Sequence, residues 1–181
     1  MNLVLQAIAG AARDATGATA AWALGIEGDH LRALGAAGER AGELLGSEMA
    51  AGEGTAGYVI SSGQPIAIAP RGDDPRWSEG LAGRLGRQPK SVLCVPCMQQ
   101  DTVLGVLELL DKTGGGPFSF DDVELVTLLA GIAGAALAAA GTEIAVRPPA
   151  EIATELTLLS SSDPVAYARL ATVLEAMLSR G

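Results

Sequence analysis

Aromatic and basic residues are scarce in this chain of 181 residues. Two Trp, two Tyr and two Phe are all the rings it has, which gives little support to a site that would stack a purine. Lys and Arg number 12 against 21 Asp and Glu, giving a formal net charge of -9 and a pI near 4.5. Binding to a phosphate backbone needs clustered cations. The one local cluster, Arg84, Arg87 and Lys90, has a single ring nearby, Trp77, and reads as an exposed loop. Nucleic acid is therefore excluded as a partner. Two cysteines exclude a disulfide framework and make a reducing cytoplasm the expected compartment. The single histidine, His30, sits beside a turn and is expected to be solvated, which leaves a zinc site short of ligands. The opening "MNLVLQAIAGAARD" has no basic leader and reads as an amphipathic helix, not a signal peptide. Val123 to Ala140 is long enough to be considered as a membrane span, but it is mostly Ala and Gly, contains Glu124 and has no basic flank. A buried helix with a small-residue face is expected there, and no membrane partner.

Glycine is abundant instead, with 24 residues, and "GEGTAG", Gly52 to Gly57, fits G-x-G-x-x-G letter for letter. That pattern cradles a pyrophosphate only where a buried strand leads in and a full helix leads out. Upstream, "AGELLGSEMAA" has no β-branched run. Downstream, Gly63 and Pro65 end the helix after barely two turns. Asp73 and Asp74 stand at a suitable distance for a ribose, but in a turn. A dinucleotide site is not expected.

The chain order reads as follows. Residues 2 to 14 form a helix with Leu3, Ile8, Ala11 and Ala12 on one face. "ATAAWALGIEGDHLRALGAAG" is a hairpin turning at Glu27, Gly28 and Asp29. A weakly helical stretch, a short helix from Thr55 to Ser62 and a short strand "PIAIA" come next. After a loop with a small helix at Ser78 to Leu85, "SVLCVPCMQQDTVLGVLELLDK" gives two long strands joined at Gln100 and Asp101. A long helix then starts with Ser119 or Asp121 as N-cap. Past Gly141 the prolines at 148 and 149 break the pattern. A short helix at Glu151 to Leu159 follows, then a last helix opened by Asp163 and Pro164. The expected division is a domain over 1–141 and a helical appendage over 142–181.

"GEGTAGYVISSGQPIAI", "SVLCVPCMQQDTVLGVLELLDK" and "FSFDDVELVTLLAGIAGAAL", in this order and spacing, resemble the GAF family of sensory domains. The resemblance implies an α+β fold of GAF-like (PAS-like) type: a central antiparallel sheet with the terminal helices on one face and a short-helix and loop lid on the other. In it, Gly54 and Gly57 turn the chain into a short helix that packs by the sheet. It also implies a sensory or regulatory module in bacterial-type signal transduction that binds a small molecule, a protein partner or both, with no catalysis of its own and a cofactor, if any, unknown. A ligand-free scaffold for protein contacts is the first alternative. A thiol-dependent reductase of free methionine sulfoxide is the second. Cyclic-nucleotide-binding members carry an Asn-Lys pair, then Phe and Asp-Glu. The corresponding residues here are Asp111, Lys112, Phe120, Asp122 and Glu124, an altered set that fits a Lys-carboxylate tie at the sheet-to-helix junction.

"CVPC" invites a redox or zinc reading, but residues three apart on a strand point to opposite faces, so Cys94 and Cys97 should not meet. Glu108 interrupts the most apolar strand and shares a face with Leu104, Val106 and Leu110. An unpartnered carboxylate there is costly, so Glu108 is expected either to be solvated at an edge or to meet a cation or a ligand donor. As a pocket residue it would be the main polar anchor. Tyr58, Arg76, Trp77 and Ser91 are candidate rim or lid groups by family position, and Cys94 joins the ligand-site expectation, with the choice of which cysteine faces the pocket left open. No catalytic or metal residue is expected. A homodimer is expected through the terminal helices, Asn2 to Arg13 and Val123 to Ala140, where Ala7, Gly10, Ala11, Gly131, Gly134 and Ala135 to Ala140 permit close approach. The Asp163 to Arg180 helix would lie near that interface or meet a protein partner.

Overall fold

The computed structural model describes residues 2–69, 88–142, 149–168 and 170–171. Two compact units are present, Met1–Thr142 and Glu143–Gly181.

The first unit begins with helix α1, Leu3–Thr16. Asn2 caps it, its side chain accepting from the backbone N–H of Val4 and Leu5. The buried residues are Leu5, Ile8, Ala9, Ala12 and Thr16, while Leu3 is 74% exposed and Ala11 lies outside. The expected face was therefore rotated: Ile8 and Ala12 belong to it, Leu3 and Ala11 do not.

Strands β1 (Ala18–Glu27) and β2 (His30–Gly38) form the expected hairpin. A four-residue helix α2 (Ala41–Leu44) and an edge strand β3 (Glu48–Ala50) occupy the weakly helical stretch. Helix α3 (Gly54–Ser62) and strand β4 (Ile66–Ile68) follow. Strands β5 (Val92–Gln99) and β6 (Thr102–Lys112) make the long hairpin, and α4 (Phe120–Thr142) closes the unit. The small helix expected at Ser78 to Leu85 lies outside the described residues.

The six strands lie in the order β3-β2-β1-β6-β5-β4, every pairing antiparallel. Alternation of side chains splits the core into two layers. One face packs Ala21, Ala23, Leu93, Val95, Cys97, Leu107 and Leu109 under Leu5, Ile8 and Ala12 of α1 and Val126, Ala130 and Ala133 of α4. The other gathers Trp22, Leu24, Leu31, Cys94, Val106 and Leu110 with Leu44 of α2 and Ala56 and Val59 of α3.

Helix α4 is long and apolar enough to cross a membrane by length and composition, and 28% of its most apolar window is buried. It is thus one-sided, not the buried helix expected. Its inner face is small because the strands lie close: a Cβ at Gly134 would stand 2.1 Å from the Met98 carbonyl oxygen. Gly134 seats α4 on its own sheet and does not belong to the outer surface.

The second unit contains α5 (Pro149–Ser162), followed by a further helical stretch over 164–168, where Asp163 Oδ1 accepts from the Ala166 N–H at 3.0 Å. Glu155, Leu156, Leu159 and Leu170 line a shallow apolar groove within it.

Candidate functional site

The face under α3 carries one row of residues across five strands. Trp22 on β1 lies opposite Ala36 on β2 and Glu108 on β6, Glu108 opposite Cys94 on β5, and Cys94 opposite Ile66 on β4. Such a row points to one side of the sheet. Glu108 stands at its middle, 4% exposed, and it is neither solvated nor at an edge. Trp22 Nε1 donates to Glu108 Oε2 at 2.7 Å, and Thr55 Oγ1 at the start of α3 donates to Oε1. Both donors are neutral and buried. Burial pushes the Glu108 carboxyl up from its ordinary value, and the bonds from Thr55 and Trp22 pull it partly back.

Helix α3 can bring Thr55 this close because its entry is built on glycine. Gly54 has φ +62°, and a Cβ at Gly57 would stand 2.3 Å from the Gly52 backbone. The glycine segment that mimics a phosphate loop therefore places a hydroxyl over the sheet.

The other expected site residues divide. Tyr58 is 47% exposed on α3. Ser91 is buried and engaged at the β5–β6 end: its Oγ accepts from the Lys112 N–H at 3.0 Å and its carbonyl from the Asp111 N–H at 2.8 Å. Cys94 is buried beside Glu108 in the row. Its thiol is raised well above the ordinary value, by burial first and then by Glu108 and Cys97. Cys97 packs in the opposite layer, its thiol pushed up to about 12 by burial. Arg76 and Trp77 lie outside the described residues. Trp22 and Thr55 were not among the expected site residues. Trp22 had a signal, one large ring in an otherwise alanine-rich strand; Thr55 had none.

A second polar centre ties β6 to α4. Lys112 Nζ bonds Asp122 Oδ2, which also accepts from Ser119 N and Oγ, and Ser119 Oγ in turn accepts from the Asp122 N–H. Ser119 is thus the N-cap, and the altered motif is a junction tie, as read from the sequence. Phe120 points outward, 73% exposed. His30 is half exposed, with Nδ1 2.6 Å from Asp29 Oδ1. Among the described residues no group of three or more His, Cys, Asp or Glu is arranged to hold a metal ion.

Residues 1–137 match the GAF domain family. Over 85 residues the chain is 31% identical to the probable 3',5'-cyclic phosphodiesterase pde-5 of Caenorhabditis elegans. That match covers 47% of this chain and only 12% of that protein. Among solved structures, the GAF domain from a phosphoenolpyruvate-protein phosphotransferase of Coxiella burnetii superposes with a TM-score of 0.69 at 20% identity, covering 78% of this chain and 84% of that one. The type II free methionine-R-sulfoxide reductase of Thermoplasma acidophilum has the same fold, with a TM-score of 0.62 at 14% identity over 75% of this chain and 91% of that one. With the antiparallel six-stranded sheet between two helical layers and the family match over residues 1–137, the chain belongs to the GAF domain family.

Proposed function

We propose that this chain is a regulatory module that works by association of its terminal helices with a second copy, catalyses nothing itself, and uses the α3 face to sense a small molecule. The observation that carries this reading is the outer face of α4. Asp121, Leu125, Leu128, Ile132, Ala135 and Ala139 are all exposed and follow one another at steps of four and three residues. That is the spacing of a helix-pairing seam, in which each position meets a facing helix. Leu128 is 71% and Ile132 56% exposed, and α1 adds exposed Val4, Ala7 and Ala11 at the same steps. The net charge of -9 disfavours an anionic membrane or nucleic acid as the alternative partner.

The buried thiols support the non-catalytic part of the reading. A thiol-dependent reductase needs an accessible thiolate, whereas Cys94 and Cys97 are buried, protonated and on opposite faces. The groups standing where cyclic-nucleotide-binding members carry their motif are engaged within the fold, Lys112 with Asp122 and the Asp111 N–H with Ser91. That favours a junction over a nucleotide contact.

Light scattering of the purified protein at tens of micromolar should report a dimer, and Ala135→Trp should split it while the circular dichroism spectrum is kept. A monomeric parent protein refutes the assembly. Turnover of free methionine sulfoxide with a thiol reductant, abolished in Cys94→Ser or Cys97→Ser, refutes the non-catalytic reading.

A further inference from the structure

The sheet separates α3 from α1, yet a line of hydrogen bonds and one register pair leads from one to the other by way of the β2 edge. Strand β3 covers that edge at His30, Leu31 and Arg32, and Gly46 and Ser47 just before it bond the carbonyl and N–H of Ala33. From Leu34 on, α1 takes over. The Asn2 N–H donates to the Leu34 carbonyl at 3.2 Å. The Gln6 amide then holds both backbone groups of Ala36: its Nε2 donates to the Ala36 carbonyl, and its Oε1 accepts the Ala36 N–H at 3.0 Å. The side chain thus acts as one rung of a missing strand. It reaches because α1 lies directly on β2, where a Cβ at Gly35 would stand 2.5 Å from the backbone of Leu5.

Ala36 is also the β2 member of the row that holds Glu108. Thr55 of α3 bonds Glu108, Glu108 bonds Trp22, Trp22 lies opposite Ala36, and Ala36 is clasped by Gln6 of α1. Each step is a hydrogen bond or a register pair, and the end groups sit on the two helical layers.

We propose that Gln6 is the positioning residue that couples the α3 site to α1: a change in the Thr55–Glu108–Trp22 bonds shifts the β2 edge at Ala36, and the amide clasp passes that shift to the hold of the sheet on the helix. Its consequence for assembly rests on α1 being an associating helix; the coupling itself does not. A ligand or variant that rearranges Glu108 then loosens or tightens α1 without touching it.

A line of contacts becomes coupling only when the ends are shown to depend on one another, which a double-mutant cycle measures. Amide hydrogen exchange by NMR is read at Ala9 and Ala12 of α1, at Ala36, and at Val95 as a reference for global opening. Gln6→Ala should speed the Ala36 amide by about five- to tenfold, the effect of one lost hydrogen bond. Thr55→Val should speed Ala9 and Ala12 at least about threefold more than Val95 in the parent chain, and should no longer do so in Gln6→Ala. An equal response in both backgrounds, no response in the parent, or acceleration of Val95 by the same factor overturns the coupling. Where Thr55→Val does not fold, Thr55→Ala, which removes the same hydroxyl donor and leaves room for water at Glu108, takes its place with the same outcomes. Light scattering on the same samples reads association separately, so loss of the dimer with the cycle intact refutes only the assembly.

Discussion

Two acids, Glu108 and Asp122, stand at centres built on opposite principles. Glu108 lies mid-sheet between two neutral donors, and burial moves its carboxyl up. Asp122 lies at the rim, where burial also pushes upward but the bonds from Lys112 and Ser119 outweigh it and hold the carboxyl below its ordinary value near 3.8. A charge partner and a solvent margin make Asp122 a tie that works best ionised. Glu108 lacks both, and burial between neutral donors disfavours its charged form. The junction favours the charged form of its acid and the row the neutral form.

The contrast is broken most severely by Glu108→Ala, which removes the acceptor of two buried donors and leaves a cavity. A loss of about 2–4 kcal/mol in urea unfolding is expected. A loss below that of the junction variant would mean that the row contributes little. Lys112→Met should cost about 1 kcal/mol at pH 7, since the Lys112 side chain keeps 27% of its exposure and solvent still screens the pair. The pH dependence sharpens this. Because the folded pKa of Asp122 is depressed, its contribution is present above the unfolded value and lost as pH falls through the folded one. Parent and Lys112→Met should therefore draw together as pH falls below 3.8, and a difference that does not shrink would refute the charge account.

Glu108→Gln should have the smallest effect, with the opposite sign. The raised folded pKa means that the stability contributed by Glu108 is full below the unfolded value and is lost as pH rises through the folded one. The amide keeps the volume, and its oxygen and nitrogen suit the Trp22 N–H and the Thr55 hydroxyl. The variant should match the parent at pH 4 and gain on it toward pH 9. Parallel unfolding curves across that range would show that Glu108 does not titrate against the fold.

Much of this architecture was legible in the chain itself. Alternating strands, turn residues at Gly28 and Gln100, and the Ser119 cap are local signals, and the structure places those elements close to where they were read. The strand Glu48–Ala50 was missed because three residues carry no period. The phase of α1 was misjudged because apolar residues occur on both sides of the helix, and packing on the sheet puts Leu5 inside and Leu3 outside. Glu108 stood out as an acid in an apolar strand, but its partners are 86 and 53 residues away, and only the tertiary fold brings them together. Gly134 was misassigned for the same reason: a small residue permits a close neighbour without saying which one.

The indole beside Glu108 in the row makes the protein its own optical instrument. The chain has two tryptophans, Trp22 and Trp77, so Trp77→Phe leaves one emitter, fully buried and hydrogen-bonded to the acid of interest. Charge appearing on Glu108 puts a negative oxygen against the pyrrole edge of that ring and displaces its emission band. The fluorescence spectrum then follows the ionisation of Glu108, or the arrival of a molecule that competes for it, with no label attached.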